Sequence, residues 1–186
     1  MRRGVRLAVD VGSVRVGVAR SDPGGVLAAP LTVLPSGPET RAELARLAAS
    51  EGAIEVVVGL PTSLSGREGS AAAGARKFAA SLAGRLAPIP VRLVDERFTT
   101  TQAHDALRRG GKDARARRQA VDAAAAAVLL QAALDTERAT GRPPGQLVPA
   151  PGGLPAPGGL PARGGAPARD GAPAPGGAQA RDGAAG

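Results

Sequence analysis

The chain has 186 residues, a formal charge of +8, no cysteine, one histidine and two aromatic residues. Without cysteine there is no disulfide, thiolate catalysis or Cys-ligated zinc, and a single histidine excludes a His-rich metal site. No run is long and apolar enough to span a bilayer and no secretory leader precedes the first strand, so a soluble cytoplasmic protein is expected, with a cationic surplus suited to nucleic acid.

Residues 6–11 read as a buried strand, Gly12-Ser13 as a turn, 15–20 as a second strand, and 26–34 as a third after Ser21-Asp22-Pro23-Gly24-Gly25. The short links make these three an antiparallel meander. Helical spacing follows in 39–50, with Leu44, Leu47 and Ala48 on one face and Pro38 and Glu39 suited to a first turn. Residues 54–58, rich in β-branched side chains, read as a central strand covered on both faces, ended by Gly59-Leu60-Pro61. A small-residue helix over 69–86 carries Phe78 and Leu82. A fifth strand occupies 91–94, a short helix 100–109 and a longer one 121–137. A meander followed by alternating units predicts an α/β fold: a mixed five-stranded sheet with helices on both faces. From Pro143 onward the chain is almost wholly Gly, Pro and Ala. Such a segment has too little apolar area to offset its ordering entropy, so 143–186 is expected to be a disordered tail and 1–142 the single domain.

Three carboxylates stand out. Asp10 lies inside the apolar run Val5-Arg6-Leu7-Ala8-Val9-Asp10-Val11, just before Gly12-Ser13. A carboxylate among apolar neighbours is costly unless a metal ion or a cationic partner compensates it. Glu96 follows the run Val91-Arg92-Leu93-Val94-Asp95, and Asp122 heads an alanine- and leucine-rich helix. Simpler roles exist for each: Asp10 capping its turn, Glu96 pairing with Arg97, Asp122 facing the helix dipole. Asp95 competes with Glu96, and spacing alone does not choose between them. Three converging acids repel one another unless hard cations such as Mg²⁺ or Mn²⁺ neutralise them. Paired metals in such a setting clamp both oxygens of an in-line displacement at phosphorus.

The segment Leu7-Ala8-Val9-Asp10-Val11-Gly12-Ser13-Val14-Arg15-Val16-Gly17-Val18-Ala19-Arg20-Ser21-Asp22 resembles the opening motif of the YqgF family, also called RuvX. Val56-Val57-Val58-Gly59-Leu60-Pro61 with Ser65-Gly66-Arg67-Glu68-Gly69, then Val94-Asp95-Glu96-Arg97-Phe98-Thr99-Thr100, then Val121-Asp122 and the alanines after it, resemble the family's later motifs in order. The resemblance covers nearly all of residues 5–135. It implies a ribonuclease-H-like fold, kinship with Holliday junction resolvases and a role in maturing the 5′ end of 16S ribosomal RNA. It also implies Glu96, rather than Asp95, as the partner of Asp10 and Asp122.

The stretch 108–118, with Lys112, Arg115, Arg117 and Arg118, is read as a basic loop just upstream of Asp122 that could close over a phosphate backbone. Arg15, Arg20 and Arg97 could add phosphate contacts, as could Thr100, which otherwise serves as a helix cap. His104 and the two phenylalanines, Phe78 and Phe98, read as surface or packing residues. Without a stacking platform, recognition should rest on phosphates and shape, hence a structured RNA or branched DNA. The expected function is a metal-dependent nuclease acting on pre-16S rRNA, with a ribosomal particle as a further partner and either a monomer or a homodimer as its state. The rivals are a DNA-junction resolvase and a non-catalytic nucleic-acid binder in transcription or ribosome assembly. A two-lobed phosphotransferase, which also carries Asp-x-Gly-Ser, is disfavoured because residues 1–142 are too few for two lobes.

Overall fold

The computed structural model describes residues 2–62, 69–96 and 114–150, the last segment with its side chains from residue 120. Strands β1 (Val5–Val11), β2 (Arg15–Ser21) and β3 (Ala28–Pro35) form the expected antiparallel meander. Helix α1 (Thr40–Ser50), strand β4 (Ala53–Leu60), helix α2 (Ser70–Leu86) and strand β5 (Val91–Asp95) follow, with β4 parallel to both β1 and β5. Helix α3 (Ala114–Thr140) and strand β6 (Gln146–Val148) complete the described chain. The sheet order is β3-β2-β1-β4-β5-β6.

The sheet therefore has six strands, not five, and the sixth lies beyond residue 142. The Pro-Pro-Gly sequence that suggested disorder builds a turn instead. Gly145 adopts φ +64°, and a Cβ there would lie 2.1 Å from the Leu93 carbonyl oxygen, so only glycine lets the chain pass so close to β5. Arg92 donates to the carbonyls of Pro144 at 2.6 Å and Gly145 at 3.2 Å, fastening the turn, and β6 pairs antiparallel with β5. The rest of the expected tail, 151–186, lies outside the described residues, as does the expected helix over 100–109. Helix α3 begins at Ala114 rather than 121, so Arg115, Arg117 and Arg118 belong to its first turns and not to a loop.

Strand alternation sorts the core into two layers. Leu7, Val9, Val16, Val18, Val56, Val58 and Leu93 face α1 and α2, meeting Leu44, Phe78 and Leu82. Ala8, Ala19, Val57 and Val94 face α3, meeting Ala126, Leu129, Leu130, Ala133 and Leu134. The small strand residues on the second face let the alanine-rich helix lie close.

At one end of this second face the apolar layer gives way to charge. Arg6, Glu55 and Glu137 are all at most 2 % exposed. Arg2 grips both carboxylates with paired bonds, its Nη2 reaching Glu137 Oε2 at 2.8 Å and Glu55 Oε1 at 2.9 Å. Arg6 Nη2 adds a bond to Glu137 Oε1 at 3.1 Å. Buried charges are kept by such pairing, although Arg6 Nε itself makes no hydrogen bond and only lies 3.9 Å from Glu55 Oε1. The network ties the C-terminal end of α3 to β1 and β4, and so fixes how α3 lies across the sheet. No described helix is long and apolar enough to cross a membrane.

Candidate active site

Asp10 sits between two glycines on the neighbouring strands. It pairs with Gly17 of β2, and the parallel register that matches Val9 to Val58 brings Gly59 of β4 beside it. Each glycine admits one further acid. A Cβ at Gly17 would lie 2.0 Å from the Asp122 carbonyl oxygen, so α3 rests on bare backbone there and carries Asp122 down beside Asp10. A Cβ at Gly59 would lie 2.3 Å from Glu96 Oε1, so the Glu96 carboxylate occupies the space a side chain would need. Asp10 and Glu96 thus share the α3 face at the C-terminal ends of the parallel strands, where open α/β sheets place their ligands, and the backbone of Asp122 rests on Gly17 of the neighbouring strand.

Electrostatics couple Glu96 to Asp10 and Asp95. Burial pushes the Glu96 carboxyl up to about 7, and the charges of Asp10 and Asp95 push in the same direction. Asp95, next to Glu96 in sequence, is engaged differently: it accepts a hydrogen bond from Thr62 Oγ1 at 2.5 Å and so holds the start of the segment after β4. Strand alternation separates the two acids. Arg92 and Val94 lie on the α3 side of β5, the parity of Glu96 and not of Asp95.

Asp122 is held by Arg15, whose Nε donates to Asp122 Oδ2 at 2.5 Å. The Gly12 N–H donates to the Arg15 carbonyl at 2.9 Å and closes the β1–β2 turn, so the Arg15 main chain is fixed. A Cβ at Gly12 would lie 2.6 Å from that same oxygen, which requires glycine in the turn. Hard carboxylate oxygens, with Glu96 raised by burial and then by its acidic neighbours, suit a divalent cation in kind. Among the described residues, though, no three such side chains come close enough together to hold one.

The remaining expected residues divide three ways. Arg20 is used on the surface, bonded to Glu51 at 2.8 Å. Phe78 is buried in the core and lies under the Arg41 guanidinium, 4.7 Å from its ring centre. Arg97, Thr100, Lys112, His104 and Phe98 lie outside the described residues, and Arg115, Arg117 and Arg118 are placed only as backbone of α3. Sequence reading missed what Arg15, Gly17 and Gly59 do for the acids. Arg15, expected at a phosphate, meets the Asp122 carboxylate. The usable signal was parity: Asp10, Arg15, Gly17 and Gly59 share the face that carries Ala8, Ala19 and Val57.

Residues 4–136 match the family described as RuvX: Holliday junction resolvase. The chain is similar to proteins named "Putative pre-16S rRNA nuclease". It is 57 % identical over 155 residues to that of Thermobifida fusca, spanning 80 % of this chain and 98 % of the relative. It is 53 % identical over 148 residues to that of Streptomyces coelicolor, spanning 78 % and 89 %. Among solved structures, T. thermophilus RuvC in complex with a Holliday junction substrate aligns at 15 % identity over 74 % of this chain and 96 % of that one, with a TM-score of 0.44.

Proposed function

The chain belongs to the RuvX family, and from that premise we propose that it is a metal-dependent nuclease that hydrolyses phosphodiester bonds at the 5′ end of pre-16S rRNA during ribosome biogenesis. The observation that carries the reading is the position of Asp10, flanked by two glycines that admit Glu96 from one side and the α3 backbone at Asp122, in the third turn of that helix, from the other.

In this reading Asp10, Glu96 and Asp122 would hold Mg²⁺ or Mn²⁺, which when bound supplies Lewis-acid activation of water and of the departing oxygen. The chain's own part is positional. Gly59 makes room for Glu96 and Gly17 for the α3 backbone at Asp122, and the charged network of Arg2, Arg6, Glu55 and Glu137 holds α3 in line from its far end. Arg15, Arg97, Thr100, Lys112, Arg115, Arg117 and Arg118 are assigned to the phosphate backbone, with the precursor ribosomal particle in the cytoplasm presenting the RNA. No nucleophilic triad enters the mechanism.

The test is cleavage of an end-labelled RNA spanning the 16S 5′ leader, with Mg²⁺ or Mn²⁺, by wild type and Asp10→Asn. Metal-dependent cleavage that the variant loses supports the reading. Activity confined to a four-way DNA junction would replace the RNA substrate with the one named in the family's description. Metal-independent binding without cleavage of either would leave a nucleic-acid binder.

A further inference from the structure

Arg15 occupies one of the three acids that the reading above assigns to cation binding, and the inference drawn here rests on that reading. Its guanidinium bonds Asp122 at 2.5 Å, with side-chain exposures of 30 % and 31 %, so the pair is open to solvent and exchangeable rather than locked. Its main chain is pinned by the Gly12 hydrogen bond, which confines any movement to the side chain. From that anchor it lies on the same face as Asp10, two residues from the glycine on which α3 rests.

We propose that Arg15 is an exchangeable counter-charge: it neutralises Asp122 in the free protein, and when a divalent cation is taken up it leaves Asp122 and turns its fork to a phosphate oxygen of the nucleic acid. A guanidinium and a divalent cation at one carboxylate repel each other, so the free protein binds the cation against competition from its own arginine. Once released, the planar five-donor group suits a phosphate better than an ammonium does. Cation and nucleic acid then favour one another's binding, and by linkage the coupling is the same in either direction.

The experiment is Mn²⁺ titration of the full chain, without nucleic acid, by calorimetry or by the electron paramagnetic resonance of free Mn²⁺. Wild type, Arg15→Gln and Asp10→Asn are compared. Arg15→Gln is expected to bind Mn²⁺ about threefold to tenfold more tightly than wild type, the scale of one partly exposed ion pair and its repulsion. Asp10→Asn is expected to lose binding. Equal or weaker Mn²⁺ affinity in Arg15→Gln, with binding still lost in Asp10→Asn, overturns the role of Arg15 and leaves the nuclease reading standing. No Mn²⁺ binding by wild type or Arg15→Gln overturns the metal reading and this inference with it. Arg15→Lys keeps the charge and is expected to keep wild-type Mn²⁺ affinity while binding the 16S leader RNA severalfold more weakly in Ca²⁺. RNA binding by Arg15→Lys as tight as wild type overturns the phosphate half of the proposal.

Discussion

Gly59 makes room for Glu96: a Cβ on β4 at that position would lie 2.3 Å from Glu96 Oε1 and 3.2 Å from Leu129 Cδ2. The clashing oxygen is the far end of a flexible side chain, so Gly59→Ala is relieved by swinging the carboxylate away and not by moving a strand. Stability should change by less than about 1 kcal/mol, within the ordinary range for a mild substitution. Cleavage should fall by about tenfold or more, because the displaced acid leaves its working position. Thermal melts and single-turnover rates separate the two effects. A stable variant with wild-type rates would put Glu96 outside the chemistry.

Burial chiefly, and the charge of Asp10 after it, push the Glu96 carboxyl up, so the two acids repel each other when both are ionised. Removing the Asp10 charge removes that repulsion, so Asp10→Asn should melt at or above the wild-type temperature. Its cleavage should fall by about 10²-fold or more, as when one electrostatic group is removed from a reaction centre. Parallel loss of stability and activity would mean that Asp10 serves the fold.

Glu137 gives the fold a defined acid sensitivity. Burial raises its carboxyl, but hydrogen bonds from Arg2 and the charges of Arg2 and Arg6 overcome this and hold it at about 2, against an ordinary value of 4.5. A carboxyl depressed in the folded state stabilises fully above its unfolded value, and that contribution is lost as pH falls from 4.5 towards 2. Its size is on the order of 3 kcal/mol. Glu137→Gln should lose most of that amount at pH 7 and show a flatter stability profile across the acid window. Urea titrations of both proteins between neutral and acid pH measure the difference, and parallel profiles would assign the acid sensitivity elsewhere.

Strand β6 predicts an uneven response to shortening. A chain ending at Arg142 loses β6, exposes the outer edge of β5 and deprives Arg92 of the Pro144 and Gly145 carbonyls. The loss should be on the order of 1–3 kcal/mol, or a melting temperature lower by about 5 °C. A chain ending at Ala150 retains these contacts and should melt like the full chain. Equal melting of the two shortened proteins would show that β6 adds no stability.

The meander and the alternating order were legible because each rests on local pattern: period-two strands and 3.6-period helices. That Glu96 and not Asp95 shares the face of Val94 follows from parity along β5, a signal the spacing of the acids alone does not give. The Arg15–Asp122 pair was not legible, because it depends on where α3 docks, and docking is set by backbone approach at Gly17 and by the distant network of Arg2, Arg6, Glu55 and Glu137. Strand β6 was hidden by composition. Pro143, Pro144 and Gly145 carry the same residue types as the segment after them, and only the fit of Gly145 against Leu93 distinguishes a turn from a tail.

The first turns of α3 supply the last prediction. Arg118 stands four residues before Asp122 on the same helix, one turn along its axis, and Arg115 and Arg117 lie just ahead. Cations at a helix N-terminus oppose its dipole, so their place there is unfavourable to the isolated helix and is offset if a phosphate backbone docks beside them. Substituting all three with glutamine should therefore leave stability unchanged or slightly raised. Binding of the 16S leader RNA should weaken at low salt, and the slope of log affinity against log salt should fall by about 2, since each lost phosphate contact removes about 0.7–0.9 of a released counterion. Affinities measured from low to moderate salt give the slope directly. A slope equal to wild type would mean that these arginines serve the helix alone and that the RNA path runs elsewhere.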